Sequence, residues 1–510
     1  MQNGLNSTDS SLPATFPESQ EHRIIVLLCC LAAVHVFVFS AAVPFFSNVD
    51  EQIHFDLTIK YSQGHFPRKL ETISAEAVPY AVLYGSPEFV GIATNLPDGH
   101  FPPPPWNQPL DKIVPLLASR QAAWNNVINH EASQPPLYYT LAGLWWRFGK
   151  LCGFHDGRLL YWLRFLNLLV VAALVWMGFV AARLVFPENR FIRLGVPALL
   201  AFLPQSAFYS IQNDVLSPLC FGAAFICLVQ WLPAEIPGVR LGAAAGLALA
   251  ATFLTKISNL PLLAVSGVVV MLKIGQLAKA GKLRAAGPAL AALGLCSGLP
   301  MMAWLMWCKY NFGDFTGTAG KIQILGWTLK PFVEWWHHPI FTPHGLWVFV
   351  STLLASFWQG ELLWHRRPLA LPAVDVIYTV SSVCFVGAAV TALVSQATVA
   401  TTRQRLALWF GFWSFIAAVG FLGFLSILYD FHDCFYPSRD HPYFTSGRLM
   451  LGALIPFLLL YLYGLDRLLV RVKNRWIRPL VLIGMVSLML VSETIIDSRL
   501  FPNAYNWFHM

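Results

Sequence analysis

Apolar residues fall along this chain in blocks of about twenty, parted by short polar stretches, which is the pattern of helices that cross a bilayer. A window of about 19 residues marks eleven such blocks, at 24–46, 159–182, 191–212, 215–232, 239–255, 259–274, 286–308, 369–396, 404–430, 447–470 and 477–497. Two further apolar stretches, 135–149 and 345–364, are shorter and rich in tryptophan. If both crossed the membrane, the basic turns between blocks would fall on opposite sides. If neither crosses, alternation gathers Arg183, Arg190 and Arg193, the cluster Lys273 to Arg284, Arg403 and Arg405, and the run Arg467 to Arg478 on one side. The excess of Lys and Arg in cytoplasmic turns then predicts eleven spans, with the N-terminus inside and the C-terminus outside. The two short stretches become helices at the outer interface, where Trp145, Trp146, Trp347, Trp358 and Trp364 would sit at headgroup level.

The resulting organisation is a cytoplasmic tail (1–23), a first transmembrane helix (24–46) and an outer loop (47–157). Spans two to seven (158–308), a second outer loop (309–368), spans eight to eleven (369–497) and an outer tail (498–510) complete it. The first apolar block shows no small-residue cleavage site following a basic start, so it reads as a retained span rather than a signal peptide. A loop of over a hundred residues is too long for a simple connection, and its proline run Phe101–Trp106 reads as a stiff irregular crossing.

Composition agrees with this pattern. Of 510 residues, 56% are apolar and 12% charged, against about 45–50% and about 25% in soluble domains. That excludes a soluble enzyme, a coiled coil and a disordered chain. The +8 balance of 34 basic over 26 acidic residues marks topology rather than a nucleic-acid partner. Nine cysteines, mostly inside apolar blocks, show no metal-ligand spacing.

Candidate chemistry collects at the outer ends of the spans. Asp50-Glu51 follow the first span and open a helix predicted over 50–62, which puts His54 one turn from Asp50. Ser47-x-x-Asp50 also fits a capping box, so this pair has a structural explanation as good as a functional one. Later in the same loop come His130-Glu131 and Gln134-Pro135-Pro136-Leu137-Tyr138-Tyr139, in which Pro136 suits a helix start. Asn213-Asp214 form a polar turn between two spans, Thr255-Lys256 end a span, and Ser446-Gly447-Arg448 begin one. A helix cap and a snorkelling lysine account for two of these taken singly. Together they describe an outward cavity with carboxylates and cations, suited to an anionic phosphate beside a hydroxyl that must lose its proton.

In this order, Asp50-Glu51, Gln134-Pro135-Pro136, Arg164, Asn213-Asp214, Thr255-Lys256, Tyr310-Asn311 and Gly447-Arg448 resemble the GT-C fold glycosyltransferases. The chain is similar to the protein O-mannosyltransferases and the lipid A aminoarabinose transferases. It looks closest to a bacterial branch of predicted membrane proteins of unknown function. The resemblance implies an all-α, GT-C-like polytopic fold of about eleven transmembrane helices, with interfacial helices in a large first periplasmic loop, in the bacterial inner membrane. It further implies an inverting transferase that moves a sugar from a polyprenyl-phosphate donor to an envelope acceptor at the periplasmic face. Asp50 would be the catalytic base, with Glu51 assisting. Arg164, Lys256 and Arg448 would hold the donor phosphate, and His54, His130, Glu131, Gln134, Asn213, Asp214 and Tyr310 would line the substrate. Gln134 stands where many relatives carry Lys or His, and Leu449 replaces a Tyr after Gly-Arg. Branches differ in their need for a divalent metal, and no dense carboxylate/His cage is visible, so none is assigned. The alternative is a transporter or flippase of a lipid-linked or anionic substrate. That class usually places charges near mid-membrane on broken helices, whereas most spans here have apolar middles.

Overall fold

A computed structural model describes residues 18–86, 103–364, 367–395, 400–470, 472, 474 and 476–510. The first 17 residues, Phe101 and Pro102 of the proline run, and Arg471, Lys473 and Arg475 of the last basic cluster lie outside the described residues.

The chain is an all-α polytopic membrane protein. Eleven bundle helices follow the eleven predicted blocks: Glu18–Ala42, Leu166–Val185, Arg190–Ala201, Ser217–Trp231, Val239–Thr255, Leu260–Lys279, Leu283–Phe312, Pro372–Val394, Thr402–Leu428, Leu454–Leu469 and Ile477–Ile496. With their helical extensions, nine segments among the described residues are long and apolar enough to cross a membrane. The 17-residue Val239–Thr255 and the 12-residue Arg190–Ala201 are shorter.

The predicted block 191–212 is thus not one helix. Pro204 lacks an amide hydrogen and disfavours helical geometry in the residue before it, so the helix stops at Ala201 after about 18 Å. A 3-10 turn, Ser206–Tyr209, carries the chain onward. A buried carboxylate inside the bundle has two partners. Glu493 accepts a hydrogen bond from the Tyr209 hydroxyl and lies 2.7 Å from His35 Nε2. Leu454–Leu469 is the central helix, and nearly every residue along it is buried.

The first long loop folds onto one end of the bundle through helices Glu51–Ser62, Ala77–Tyr84, Leu110–Trp124, Leu137–Leu151 and Asp156–Arg164. Asp56 knits it together by accepting from Ser74 N and Asn129 Nδ2 and pairing with Lys60 at 2.8 Å. The two tryptophan-rich stretches are helices Leu137–Leu151 and Pro343–Gln359. Their tryptophans only partly match the predicted headgroup placement. Trp347 is half exposed, but Trp146 and Trp358 are fully buried. Trp146 packs edge-on against Phe55, and Trp358 stacks on Tyr378 and donates to Ser382 Oγ. These indoles fasten loop helices to the protein rather than to lipid.

Candidate functional site

Helix direction brings Asp50, Asp214, Lys256 and Arg448 to the end of the bundle that carries the first loop. Asp50 links the first bundle helix to helix Glu51–Ser62 and adopts φ 63°, ψ 9°, a left-handed conformation uncommon outside glycine. The predicted capping box is not formed: Asp50 makes no side-chain cap, and Ser47 Oγ donates to Pro44 O instead. The Asp50 carboxylate is a quarter exposed and points into the cluster. Arg448 Nη2 lies 3.2 Å from its Oδ2, and His130 Nε2 lies 3.5 Å from its Oδ1. Burial pushes its carboxyl up, but the hydrogen bond from His130 and the charges of Arg448, His130 and Lys321 hold it well below the usual carboxylate range.

Arg448 is the hub. It begins the polar entry to the central helix, is 8% exposed, and faces carboxylates from three separate elements. Besides Asp50 it donates from Nη1 to Asp214 Oδ2 at 3.2 Å and to Gln212 Oε1 at 3.4 Å. Its Nε lies 3.3 Å from Glu361 Oε2. Lys256 donates to the same Asp214 oxygen at 2.5 Å, leaving Oδ1 without a partner. Burial pulls the Lys256 ammonium down from the ordinary lysine range, while Asp214 opposes that shift.

The motif ahead of Pro135-Pro136 forms the opposite wall. Glu131 accepts from Lys321 and from Gln134 Nε2, and its carboxyl is lowered because Lys321 and His130 outweigh the effect of burial. Gln134 Oε1 in turn accepts from Asn213 Nδ2, which also donates to Thr255 O, so Gln134 ties the first loop to two bundle helices. His54 sits behind this wall with Nδ1 2.7 Å from the Tyr139 hydroxyl and Nε2 unpartnered. Burial lowers its imidazole to about 4.

Three predicted site residues need correction. Glu51 and Arg164 do not face the cavity, because they pair with one another and both are fully buried. Arg164 Nε and Nη2 donate to Glu51, and its remaining donors go to the carbonyls of Ser40, Val43 and Pro44. A guanidinium has five N–H groups, and all five are engaged, so none is left for a phosphate. Glu51 also accepts from the amides of Phe46 and Ile211. The pair therefore anchors the peptide that carries Asp50 rather than reacting. Tyr310 is 90% exposed on helix Leu283–Phe312 and stands apart from the cluster.

Two residues of the site were absent from the sequence reading. Lys321 comes from the short helix Ala319–Ile324, and Glu361 follows helix Pro343–Gln359. Both lie in the second long loop: no motif flanks Lys321, whereas Glu361 is the single charged residue of the apolar stretch 345–364, a signal that could have marked it.

Ligand atoms of Asp50, His130 and Glu131 lie within 4.8 Å of one another, close enough to share a divalent ion. Arg448 and Lys321 already neutralise the two carboxylates, so an ion would have to draw each from its present partner. A divalent cation bound there would supply positive charge beside a phosphate.

Among solved structures, one similar chain is an archaeal oligosaccharyltransferase, AglB from Archaeoglobus fulgidus, in complex with an inhibitory peptide and a dolichol-phosphate. The identity is 10% and the TM-score 0.44, over 96% of this chain and 56% of that one. This chain thus spans little more than half the length of that protein. No curated protein matches the chain. A family model described as "Predicted membrane protein (DUF2142)" matches residues 33–428, which takes in the second part of the first span, the whole first loop, Asp214, Lys256 and the second loop with Lys321 and Glu361. By that match over most of its length, the chain belongs to the DUF2142 family of predicted membrane proteins.

Proposed function

We propose that the protein is an inverting glycosyltransferase that moves a sugar from a polyprenyl-phosphate donor to an envelope acceptor. The observation that carries this reading is Arg448 bridging Asp50 and Asp214, with Lys256 on the second carboxylate. This arrangement holds two carboxylates and two cations together at one end of the bundle. The GT-C resemblance of the motif order supports the same assignment.

In this mechanism Arg448 and Lys256 hold the donor phosphate and stabilise the charge that develops on it as the sugar–phosphate bond breaks. Asp50 accepts the proton of the acceptor hydroxyl as that oxygen attacks the anomeric carbon from the face opposite the phosphate. Arg448 depresses Asp50's basicity while it stays on the carboxylate. A donor phosphate competes for that guanidinium, so donor binding itself restores a stronger base. Asp214 keeps Lys256 and Arg448 side by side, while the Glu51–Arg164 pair fixes the strained peptide at Asp50.

The opposite end of the bundle carries Arg183, Arg190, Arg193, Lys279, Lys282, Arg284, Arg403 and Arg405. This supports a cytoplasmic location for that end and a periplasmic one for the site, in the bacterial inner membrane. Purified protein in proteoliposomes, given a polyprenyl-phosphate sugar and an envelope extract, should form a glycosylated product and release polyprenyl phosphate. Passage of the lipid-linked sugar across the bilayer without any glycosyl product would instead establish the flippase alternative.

A further inference from the structure

The helix Pro343–Gln359 is more than an interfacial prop, because its C-terminal end is stitched to the site on two sides. Gln205 Nε2 donates to the carbonyls of Ser356 and Phe357. On the other side Ser356 Oγ donates to Thr445 O and accepts from Gly447 N, one residue before Arg448. The chain then turns sharply at Gly360, φ 88°, ψ −160°. A Cβ there would meet Ser206 Oγ at 2.1 Å and Ser206 N at 2.7 Å. The Glu361 amide donates to that same Ser206 hydroxyl, and the Glu361 carboxylate accepts from Ser446 Oγ at 2.5 Å beside Arg448 Nε. Every contact in this set directs a carboxylate at the guanidinium that the transferase reading assigns to the donor phosphate.

Charge is the consequence. Asp50, Asp214 and Glu361 surround Arg448 and Lys256, so three carboxylates face two cations, while Glu131 and Lys321 offset one another. Glu361 adds one negative charge to this group, beside His130 at Asp50. A fixed negative charge within a few ångströms of a bound anion repels each anionic charge in turn, so a dianion is penalised more than a monoanion.

We propose that Glu361 is a specificity-determining residue of this pocket, setting it to accept a phosphodiester with one negative charge over a diphosphate with two. The inference rests on the transferase reading. Glu361 is faced by Arg448 and Ser446 from the entry to the central helix, Asp214 from the turn before Ser217–Trp231, and Tyr436 from the loop after Thr402–Leu428. Burial pushes its carboxyl up, opposed by Arg448 and Ser446.

The test measures binding of farnesyl methyl phosphate, with one charge, and farnesyl methyl diphosphate, with two, to the full chain in detergent. Neither probe carries a sugar, so the sugar's identity does not enter. Wild type should favour the monoanion. Glu361→Gln should shift the ratio toward the dianion by about tenfold, and Glu361→Asp, which keeps the charge, should retain the wild-type preference. Binding of both probes with a ratio unmoved by Glu361→Gln, in a variant that melts like wild type, would overturn the proposal and leave the transferase reading standing. Failure of wild type to bind either probe would overturn both.

Discussion

Arg448 donates from Nη2 to Asp50 Oδ2 across 3.2 Å, although 398 positions separate them in the chain. The contact joins the entry to the central helix to the peptide after the first span, and it sets the first prediction. Asp50→Asn should lower transfer at least about a hundredfold, the scale of losing a positioned general base. Asparagine tolerates the left-handed backbone at this position, so the variant removes charge without adding strain. Initial rates in proteoliposomes, with melting temperature as the folding control, measure it; an active Asp50→Asn protein would refute the assignment of the base.

The Glu51–Arg164 pair should behave oppositely. Removing one partner of a fully buried ion pair strands the other charge, at a cost of roughly 3–5 kcal/mol. Glu51→Ala and Arg164→Ala should each lower the melting temperature and the yield of folded protein sharply. Arg164→Lys should rescue little, because an ammonium cannot reproduce five donors in a planar fork. Phosphate-probe affinity, measured on whatever folded fraction remains, should stay near wild type, since neither side chain reaches the cavity.

Sequence patterning reached the spans because transmembrane burial is written in composition, one apolar block per helix. It also found Asp50, Asp214, Lys256 and Arg448, since each interrupts or ends such a block, where a charge stands out. Which carboxylate meets which cation was not legible, because that depends on how helices far apart in sequence rotate against one another. Hence Arg164 looked like a phosphate ligand until all five of its donors were found engaged within the protein. Tyr310 carries motif order but is exposed to solvent on helix Leu283–Phe312, outside the ion-pair cluster. Lys321 lies where the second loop has no periodicity to orient its side chains, and Glu361 lies in the stretch 345–364, whose apolar residues point to an interfacial helix rather than to a site. The block 191–212 was read by hydropathy alone, which does not register the helix-stopping geometry of Pro204.

His54 predicts an acid limit. Its imidazole is lowered by burial from 6.5 to about 4, so it stays neutral in the folded protein while the unfolded chain takes up a proton below about 6.5. A depressed folded-state value means the stability is complete above about pH 6.5 and is lost as pH falls toward 4. The full loss is at most about 3 kcal/mol, from 1.36 kcal/mol per unit. Melting temperatures between pH 7.5 and pH 4 should fall along this window, and His54→Gln should flatten the fall. An equal fall in the variant would assign acid sensitivity to other groups.

Gly447 tests whether helix Pro343–Gln359 belongs to the site. A Cβ at this position would lie 2.1 Å from Phe357 N and 2.4 Å from Phe357 Cα. Backbone atoms cannot rotate away as a side-chain tip can, so Gly447→Ala must push the helix end off Arg448 and break the Ser356 hydroxyl's bond to the residue 447 amide. Overpacking of this kind costs about 1–3 kcal/mol, and it should appear as a lower melting temperature. Because the displaced segment carries Glu361, the monoanion-to-dianion preference of the pocket should relax in the same variant. Gly484→Ala, where a Cβ meets open space within a bundle helix, should leave both measurements at wild-type values. A Gly447→Ala protein that keeps its stability and its phosphate preference would show that the helix end can move without disturbing Arg448.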